Sequence, residues 1–284
     1  MRRLSGFLLA LLTVFSMTAG EAPAKAESKE LSLLSINVRK ADAHLLRCGQ
    51  SVYLIDTGEK KYFETLYRVL KENAVGRIDG VILTHSHSDH TGGLKKLMDS
   101  DITVDHVYTT AYWAPKKEGQ KNPVLNALKN TGIEPVYLKS GDTLPLDGGD
   151  ITVIGPLAEQ TDPDNENSNS LVLRVTGGGG SMLLTGDMEF PEEESLLGAG
   201  LIEHSDVIKI GNHGEGDATS EALIDAVSPS LAVISTNTED EPDTPDPRVI
   251  RLLNSRGITV VQTQESEKGI LVTIRDGEIS FTKQ

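Results

Sequence analysis

Apolar residues recur along this chain in two alternating rhythms, short continuous or every-second runs and longer runs spaced by three or four. "ELSLLSINV" and "SVYLIDTG" fit the first and predict strands, whereas "KKYFETLYRVLKEN" brings Phe63, Leu66 and Leu70 onto one helical face. "RIDGVILT" predicts a buried strand, "GGLKKLMD" the start of a helix and "VDHVYTT" another strand. "NPVLNALKNTG" predicts a helix stopped by Gly132. The second half repeats the scheme. "DITVIGP", "SLVLRVT", "SMLLTGD", "DVIKIG", "LAVIST" and "TVVQT" predict strands, and "SEALIDAV" and "DPRVIRLLNSRG" predict helices. "GGGG" at 177–180 reads as a hairpin connection, and "GILVTIRDGEIS" closes the chain. Two such halves, each a sheet with helices, imply an α/β protein built as a four-layer sandwich, with the sheets face to face.

The first 26 residues stand apart. Arg2 and Arg3 precede the apolar run "GFLLALLTVFSMTAG", and "AKA" supplies small residues for cleavage. Residues 1–26 therefore read as a secretory signal peptide, leaving 27–284 as one domain outside the cytoplasm, extracellular or periplasmic and not bound to the membrane. The apolar run is short for a spanning anchor. With 38% hydrophobic and 24% charged residues, the remainder has ordinary globular composition. A single cysteine, Cys48, allows no internal disulfide and reads as a buried, inert thiol.

The formal net charge of −15 disfavours non-specific adhesion to nucleic acid or anionic lipid. With only 4% aromatic residues and no basic stripe, a stable nucleic-acid complex is not expected. A small-molecule or nucleic-acid phosphodiester remains an acceptable substrate, because divalent cations reverse the sign of charge locally.

Histidine is scarce, seven in 284 residues, yet "THSHSDH" places His85, His87 and His90 within six positions, with Asp89 among them. The group follows the strand run Val81, Ile82 and Leu83, at the carboxyl end where open α/β sheets carry their chemistry. His85 and His87, two apart, can face one point, and Asp89 and His90, at a helix start, a second one nearby. Imidazole suits zinc and its neighbours, carboxylate harder ions. Two adjacent metal sites are the expectation.

These residues, with others later in the chain, resemble the metallo-β-lactamase superfamily of hydrolases. The resemblance spans nearly all of 27–284 and implies an αβ/βα sandwich. Asp56 in "LIDTG" is similar to the carboxylate that supports the ligand loop, Asp187 in "LLTGD" to the bridging aspartate and His213 in "IKIGNHGE" to the last histidine ligand. The implied ligands are His85, His87, Asp89, His90, Asp187 and His213 for two divalent metal ions, zinc or manganese. Asp89 is also the implied catalytic residue, orienting water and taking its proton.

A histidine that the wider family carries between His90 and Asp187 is missing here, since His106 lies too close to the loop and reads as a structural strand residue. Asn169 and Ser170 stand in its region as supporting residues. That arrangement resembles the hydrolase domain of the bacterial competence DNA-uptake channel and its free-standing secreted relatives. The same subgroup shows "DVGQGDA" where this chain has "NVRKADA", two histidines where it has Asn212 and His213, and a His-Pro-His where it has Thr244, Pro245 and Asp246. The implied activity is water-driven phosphodiester cleavage. Ester or lactone hydrolysis and a non-catalytic secreted metal-binding scaffold are the alternatives, and the missing histidine argues against a β-lactamase. His44 and His204 read as structural or surface residues, Tyr112 and Trp113 as loop aromatics, and Lys116 and Lys117 as a solvated pair.

Overall fold

A computed structural model of the protein describes residues 29–112, 121–158 and 165–284. The leader and the loop residues Trp113, Lys116 and Lys117 lie outside the described residues.

The first half and the last two strands build one sheet. Its strands are Leu31–Ile36 (β1), His44–Cys48 (β2), Ser51–Ile55 (β3), Gly80–Leu83 (β5), Val107–Thr110 (β7), Val136–Leu138 (β8), Gly269–Arg275 (β16) and Glu278–Lys283 (β17). Their order is β17-β16-β1-β2-β3-β5-β7-β8. Arg77–Ile78 (β4) and Thr103–Val104 (β6) form a two-stranded parallel pair at its margin. A second sheet runs β15-β14-β13-β12-β11-β10-β9. It is composed of Thr143–Leu146 (β9), Gly149–Gly155 (β10), Val172–Gly177 (β11), Gly180–Leu184 (β12), Val207–Lys209 (β13), Leu231–Ile234 (β14) and Thr259–Gln262 (β15).

The period-two pattern decides the layering. In β1, Leu31 and Leu33 join residues of the second sheet such as Ile151, Leu173 and Val207 in the inter-sheet core. Leu34 and Ile36, on the opposite face, pack under helices with Phe63, Leu66, Leu70, Leu94 and Leu128. Those helices are Phe63–Glu72 (α1), Leu94–Met98 (α3) and Pro123–Leu128 (α4). The outer face of the second sheet is covered by Phe190–Gly198 (α5), Glu221–Val227 (α6) and Pro247–Ser255 (α7), through Leu196, Ile224 and Leu253 among others. The result is the four-layer αβ/βα sandwich.

Each sheet is antiparallel on one side and parallel on the other. The strands β3, β5, β7 and β8 run parallel, as do β12 to β15. Ile55 pairs with Ile82, and Leu184 with Lys209, so within each sheet the loops that follow leave abreast. Helix ends are set by local chemistry. Asn122 Oδ1 accepts from Val124 N and Leu125 N, Ser220 Oγ from Leu223 N, and Asp246 Oδ1 from Arg248 N.

Several boundaries differ from the sequence expectation. β2 was not anticipated, because a two-residue turn at Gly49 and Gln50 folds "HLLRCGQSVYLI" into a hairpin. "RIDGVILT" splits at Asp79 into β4 and β5, and "VDHVYTT" splits so that exposed His106 falls between β6 and β7 rather than within a strand. Helix α4 ends at Leu128, four residues before Gly132. In the glycine run, Gly178 and Gly179 form the turn with φ of +62° and +84°, backbone that a two-residue hairpin of this hand requires. Cys48 is buried and unpaired, as expected.

Helix α5 also buries a carboxyl. Glu192 is 4% exposed, and neither of its side-chain oxygens has a hydrogen-bond partner among the described residues. Burial first, then Glu193 and Glu189, push its carboxyl well above the usual value of 4.5. The folded chain thus keeps a proton that the unfolded chain releases, and stability falls as pH rises from 4.5 towards the folded pKa. The limiting slope is about 1.4 kcal/mol per pH unit. Glu192→Gln is expected to flatten this decline in urea unfolding between about pH 5 and 8. An identical slope in both proteins would show that Glu192 is ionised in the fold.

Candidate metal centre

The parallel strands of both sheets aim their carboxyl ends at one seam. Asp56 follows β3, the segment from Thr84 to His90 follows β5, Asp187 follows β12 and His213 follows β13. A short helix, Ser88–Thr91 (α2), holds Asp89 and His90, with His87 as its N-cap. Asp56 anchors this loop. Its Oδ1 accepts from Thr84 N at 2.8 Å, and Oδ2 faces Thr84 Oγ1 and His90 Nδ1, each at 2.8 Å. Because Nδ1 of His90 is engaged there, Nε2 is left for the seam.

Glycines behind the loop allow this approach. A Cβ on Gly93 would lie 2.2 Å from Thr57 O, and one on Gly92 would lie 2.4 Å from Ser88 O and 2.6 Å from Lys60 N. The contact is sealed by Thr57 N to His90 O at 2.7 Å and Gly93 N to Gly58 O at 2.9 Å.

Asp89, His90, Asp187 and His213 converge, their donor atoms all within 4.8 Å of one another. His90 Nε2 is 3.0 Å from Asp187 Oδ2, and His213 Nε2 is 3.4 Å from both Asp89 Oδ2 and Asp187 Oδ2. The other two histidines adjoin this group. His85 Nε2 lies 3.0 Å from His87 Nδ1 and 3.8 Å from Asp187 Oδ2, and the His85 and His90 rings are 4.1 Å apart. All six sequence candidates therefore meet at the seam, with Asp187 between the two groups. His85, His90, Asp187 and His213 are buried, whereas the Asp89 side chain is 30% exposed and reaches the open side.

Each ring is held from behind. His85 Nδ1 faces Thr84 Oγ1 at 3.2 Å and Ser170 Oγ at 3.3 Å, and Ser170 Oγ also accepts from Asp187 N. His213 Nδ1 donates to Ser235 O at 3.1 Å. His87 Nε2 faces Glu166 Oε2 at 3.8 Å, and Ser86 Oγ donates to the same oxygen. Asn169 is a step removed, its Nδ2 donating to Asn165 O at 2.8 Å. Backbone strain gathers here as well: Asp56, Asn212 and His213 have φ of +58°, +44° and +54°, conformations that non-glycine residues adopt chiefly where surrounding contacts enforce them.

Two residues unmarked in the sequence reading complete the seam. Lys209, 1% exposed, forms an ion pair with Asp42 and donates to Gly186 O at 2.9 Å. Its ammonium is 3.7 Å from Asp187 Oδ1. Burial opposes both charges, yet Lys209 holds Asp42 well below the usual carboxylate range and Asp42, with Asp187, pushes Lys209 up. A lysine inside the apolar strand run "DVIKIG" was the available signal, and Asp42 occupies the aspartate position of the "NVRKADA" stretch. His44 is a neighbour of Asp42 at 3.5 Å, whereas His204 and His106 bond backbone carbonyls away from the seam.

Protons on His90 and His213 offset Asp187, and a cation at the seam would take over that role as both rings give up their protons. Burial would raise Asp187, but His90 and His213 hold it well below its ordinary value. Burial would lower His213, but Asp187 and Asp89 push it up to about 9, and His90 is raised well above its ordinary value by Asp187 and Asp56. Burial and the neighbouring His90 keep His85 neutral, as a ligand must be. His213 Nε2, a ligand-type atom facing the cluster, is buried without a directed hydrogen bond among the described residues, and so is Asp187 Oδ1 on the Lys209 side. Imidazole nitrogens and carboxylate oxygens at these separations fit a divalent first-row cation or zinc.

The three positions at which the subgroup has histidine and this chain does not are filled by residues with partners of their own. Asn212 Nδ2 donates to Asp217 Oδ1 at 3.1 Å, Thr244 Oγ1 to Glu241 O at 3.1 Å, and Asp246 caps α7.

A two-sheet αβ/βα sandwich with this histidine and aspartate set at the seam defines a metallo-hydrolase. The chain belongs to the metallo-β-lactamase superfamily, which it matches over residues 36–236. It is 31% identical over 212 residues to "ComE operon protein 3" of Bacillus subtilis (strain 168), covering 74% of this chain and 26% of that protein. It is 29% identical over 234 residues to "Competence protein ComA" of Neisseria gonorrhoeae, covering 82% of this chain and 30% of that one. The chain thus spans about a third or less of the length of these relatives. Among solved structures, the metallo-beta-lactamase fold protein YhfI from Bacillus subtilis superposes with a TM-score of 0.55 at 13% identity, over 86% of this chain and 99% of that one.

Two outcomes test the centre. Replacing His213 or Asp187 by alanine is expected to lower the zinc or manganese retained per chain, measured by elemental mass spectrometry after gel filtration. Unaltered stoichiometry in both variants would remove them as ligands. Asp42→Asn leaves the buried Lys209 ammonium with only the more distant Asp187 carboxylate against it and is expected to cost about 3 kcal/mol in urea unfolding. A loss of under about 1 kcal/mol would mean that water reaches the pair.

Proposed function

We propose that the protein is an extracytoplasmic phosphodiesterase that uses two divalent cations, zinc or manganese, at the seam. The observation that carries this reading is the shared aspartate: Asp187 Oδ2 lies 3.0 Å from His90 Nε2, 3.4 Å from His213 Nε2 and 3.8 Å from His85 Nε2. One group offers His85 and His87 and the other Asp89, His90 and His213, so a pair of sites with a common carboxylate is within reach of these side chains. Paired cations supply a lowered pKa for water and a counter-charge for the phosphoryl oxygens.

The remaining work falls to the chain. Asp89, on the open side, orients the attacking water and receives its proton at Oδ2, 3.4 Å from His213 Nε2. Asp56 and Ser170 keep the rings of His90 and His85 turned towards the seam, and Glu166 does the same for His87. Lys209 and Asp42 hold the strand ends from which Asp187 and His213 project, limiting movement of the shared carboxylate. The likeness to competence proteins of two bacteria supports a phosphodiester substrate, and the leader pattern in residues 1–26 supports export.

The chain from residue 27, loaded with zinc or manganese, is expected to hydrolyse bis-p-nitrophenyl phosphate in preference to a lactone, a simple ester or nitrocefin. Turnover is expected to stop with EDTA, and Asp89→Asn is expected to lower kcat by about 10²–10⁴-fold. Hydrolysis of the lactone or ester alone would replace the phosphodiester reading, and no turnover on any of the four would favour a metal-binding scaffold.

A further inference from the structure

Beside the metal centre the sign of the surface charge reverses. The chain has 42 acidic and 27 basic residues. Nevertheless, a cavity of about 500 Å³ next to His87 is lined by Lys60, Lys95 and Lys121, with Glu166 as its one carboxylate among the described residues. Hydroxyls of Ser86, Ser88 and Thr91 line it too. Lys61 and Lys96 lie in an adjoining concavity that shares Lys60, Ser88 and Gly92.

The charges in this cavity are available. Lys60 and Lys121 are exposed and form no ion pair among the described residues. Lys95 pairs with Asp99 one turn away, at 2.5 and 2.6 Å, on the exposed surface. Exposed pairs of this kind are weak and yield to a better anion. Glu166 is 7% exposed and engaged by Ser86 and His87, so it aims its charge at the ring. By contrast, Arg39 and Lys40 on the other side of the seam are already neutralised by acids that follow His213: Lys40 pairs with Glu215 and Glu241, and Arg39 with Glu239 and Asp240.

The cavity is also fixed relative to the centre. Its wall includes His87 itself, and bare Gly92 lets the Lys60 backbone rest on the metal loop. A small shift of either segment would move ammonium and imidazole together.

We propose that this cavity is an anion subsite that holds a second, non-reacting phosphate of the substrate while the scissile phosphodiester lies at the seam. The inference rests on the phosphodiester reading and narrows it to substrates with at least two anionic groups. Three ammonium groups act as point charges that need no fixed fork geometry, so the subsite accepts either a flanking backbone phosphate or the terminal phosphate of a small molecule. Binding energy from this remote group is then used to place the reacting one. Attraction of this kind weakens as salt rises.

The test is a Lys60→Ala/Lys121→Ala variant of the metal-loaded chain. Its substrates are bis-p-nitrophenyl phosphate, p-nitrophenyl thymidine 5′-phosphate carrying a 3′-phosphate, and a short oligothymidylate. KM for at least one of the two multiply charged substrates is expected to rise about tenfold more than KM for bis-p-nitrophenyl phosphate. The substrate that shows the larger rise identifies the source of the second phosphate, terminal or backbone. An equal change for all three overturns the subsite, even if bis-p-nitrophenyl phosphate is cleaved and the phosphodiesterase reading stands. A readout free of turnover uses a fluorescent oligothymidylate titrated by anisotropy in EDTA at low ionic strength. The original chain is expected to bind about tenfold more tightly than the variant. Lysine-dependent binding without cleavage of bis-p-nitrophenyl phosphate would sink the catalytic reading and keep the anion site. Equal or absent binding in both proteins would remove the site.

Discussion

The arrangement depends on offsetting a block of negative charge buried between two sheets. Asp42, Asp56 and Asp187 are each 2% exposed or less, and carboxylates withdrawn from water are costly unless opposite charge lies against them. His90, His213 and Lys209 supply that charge within the protein. The supply comes from both sheets, so neither half of the sandwich neutralises the seam alone. Charge compensation therefore couples the strand ends across the interface, while the inter-sheet apolar core supplies the bulk of the burial.

That coupling explains why backbone strain and close packing gather at the same place. His213 and Asn212 hold left-handed backbone where β13 ends, and Gly92 and Gly93 press the metal loop onto the Asp56 turn. Such conformations persist when several contacts over-determine them. Here the contacts are the hydrogen bonds to Asp56, Ser170 and Ser235. They leave imidazole nitrogens and a shared carboxylate oriented before any ligand arrives, and preorganisation of this kind is what a catalytic centre needs. Asp89 and His87 are the exceptions in exposure, and the position of Asp89 on the open side suits it for contact with water and substrate.

Legibility of the site followed distance in the chain. The loop from His85 to His90 was readable because four polar residues directly after a buried apolar run have few roles other than ligation. Asp187 and His213 became readable through their order after that loop and their places at strand ends. Glu166, Ser86, Lys60 and Lys121 were not, since each is an ordinary surface-type residue until the fold brings it beside His87. Lys209 was masked differently: it sits in an apolar run whose period predicts only a strand, and its meaning depends on Asp42, far away in the chain.

By itself, then, the sequence determined the layers and the ligand loop. A period of two or of three to four residues selects strand or helix through local geometry, and the close spacing of His85, His87, Asp89 and His90 confines their side chains to one turn. Tertiary structure alone decided the strand order, the Lys209–Asp42 pair and the reversal of charge beside His87. Those features arise where segments remote in the chain pack together, and pairing energies between such segments leave no periodic mark in either one.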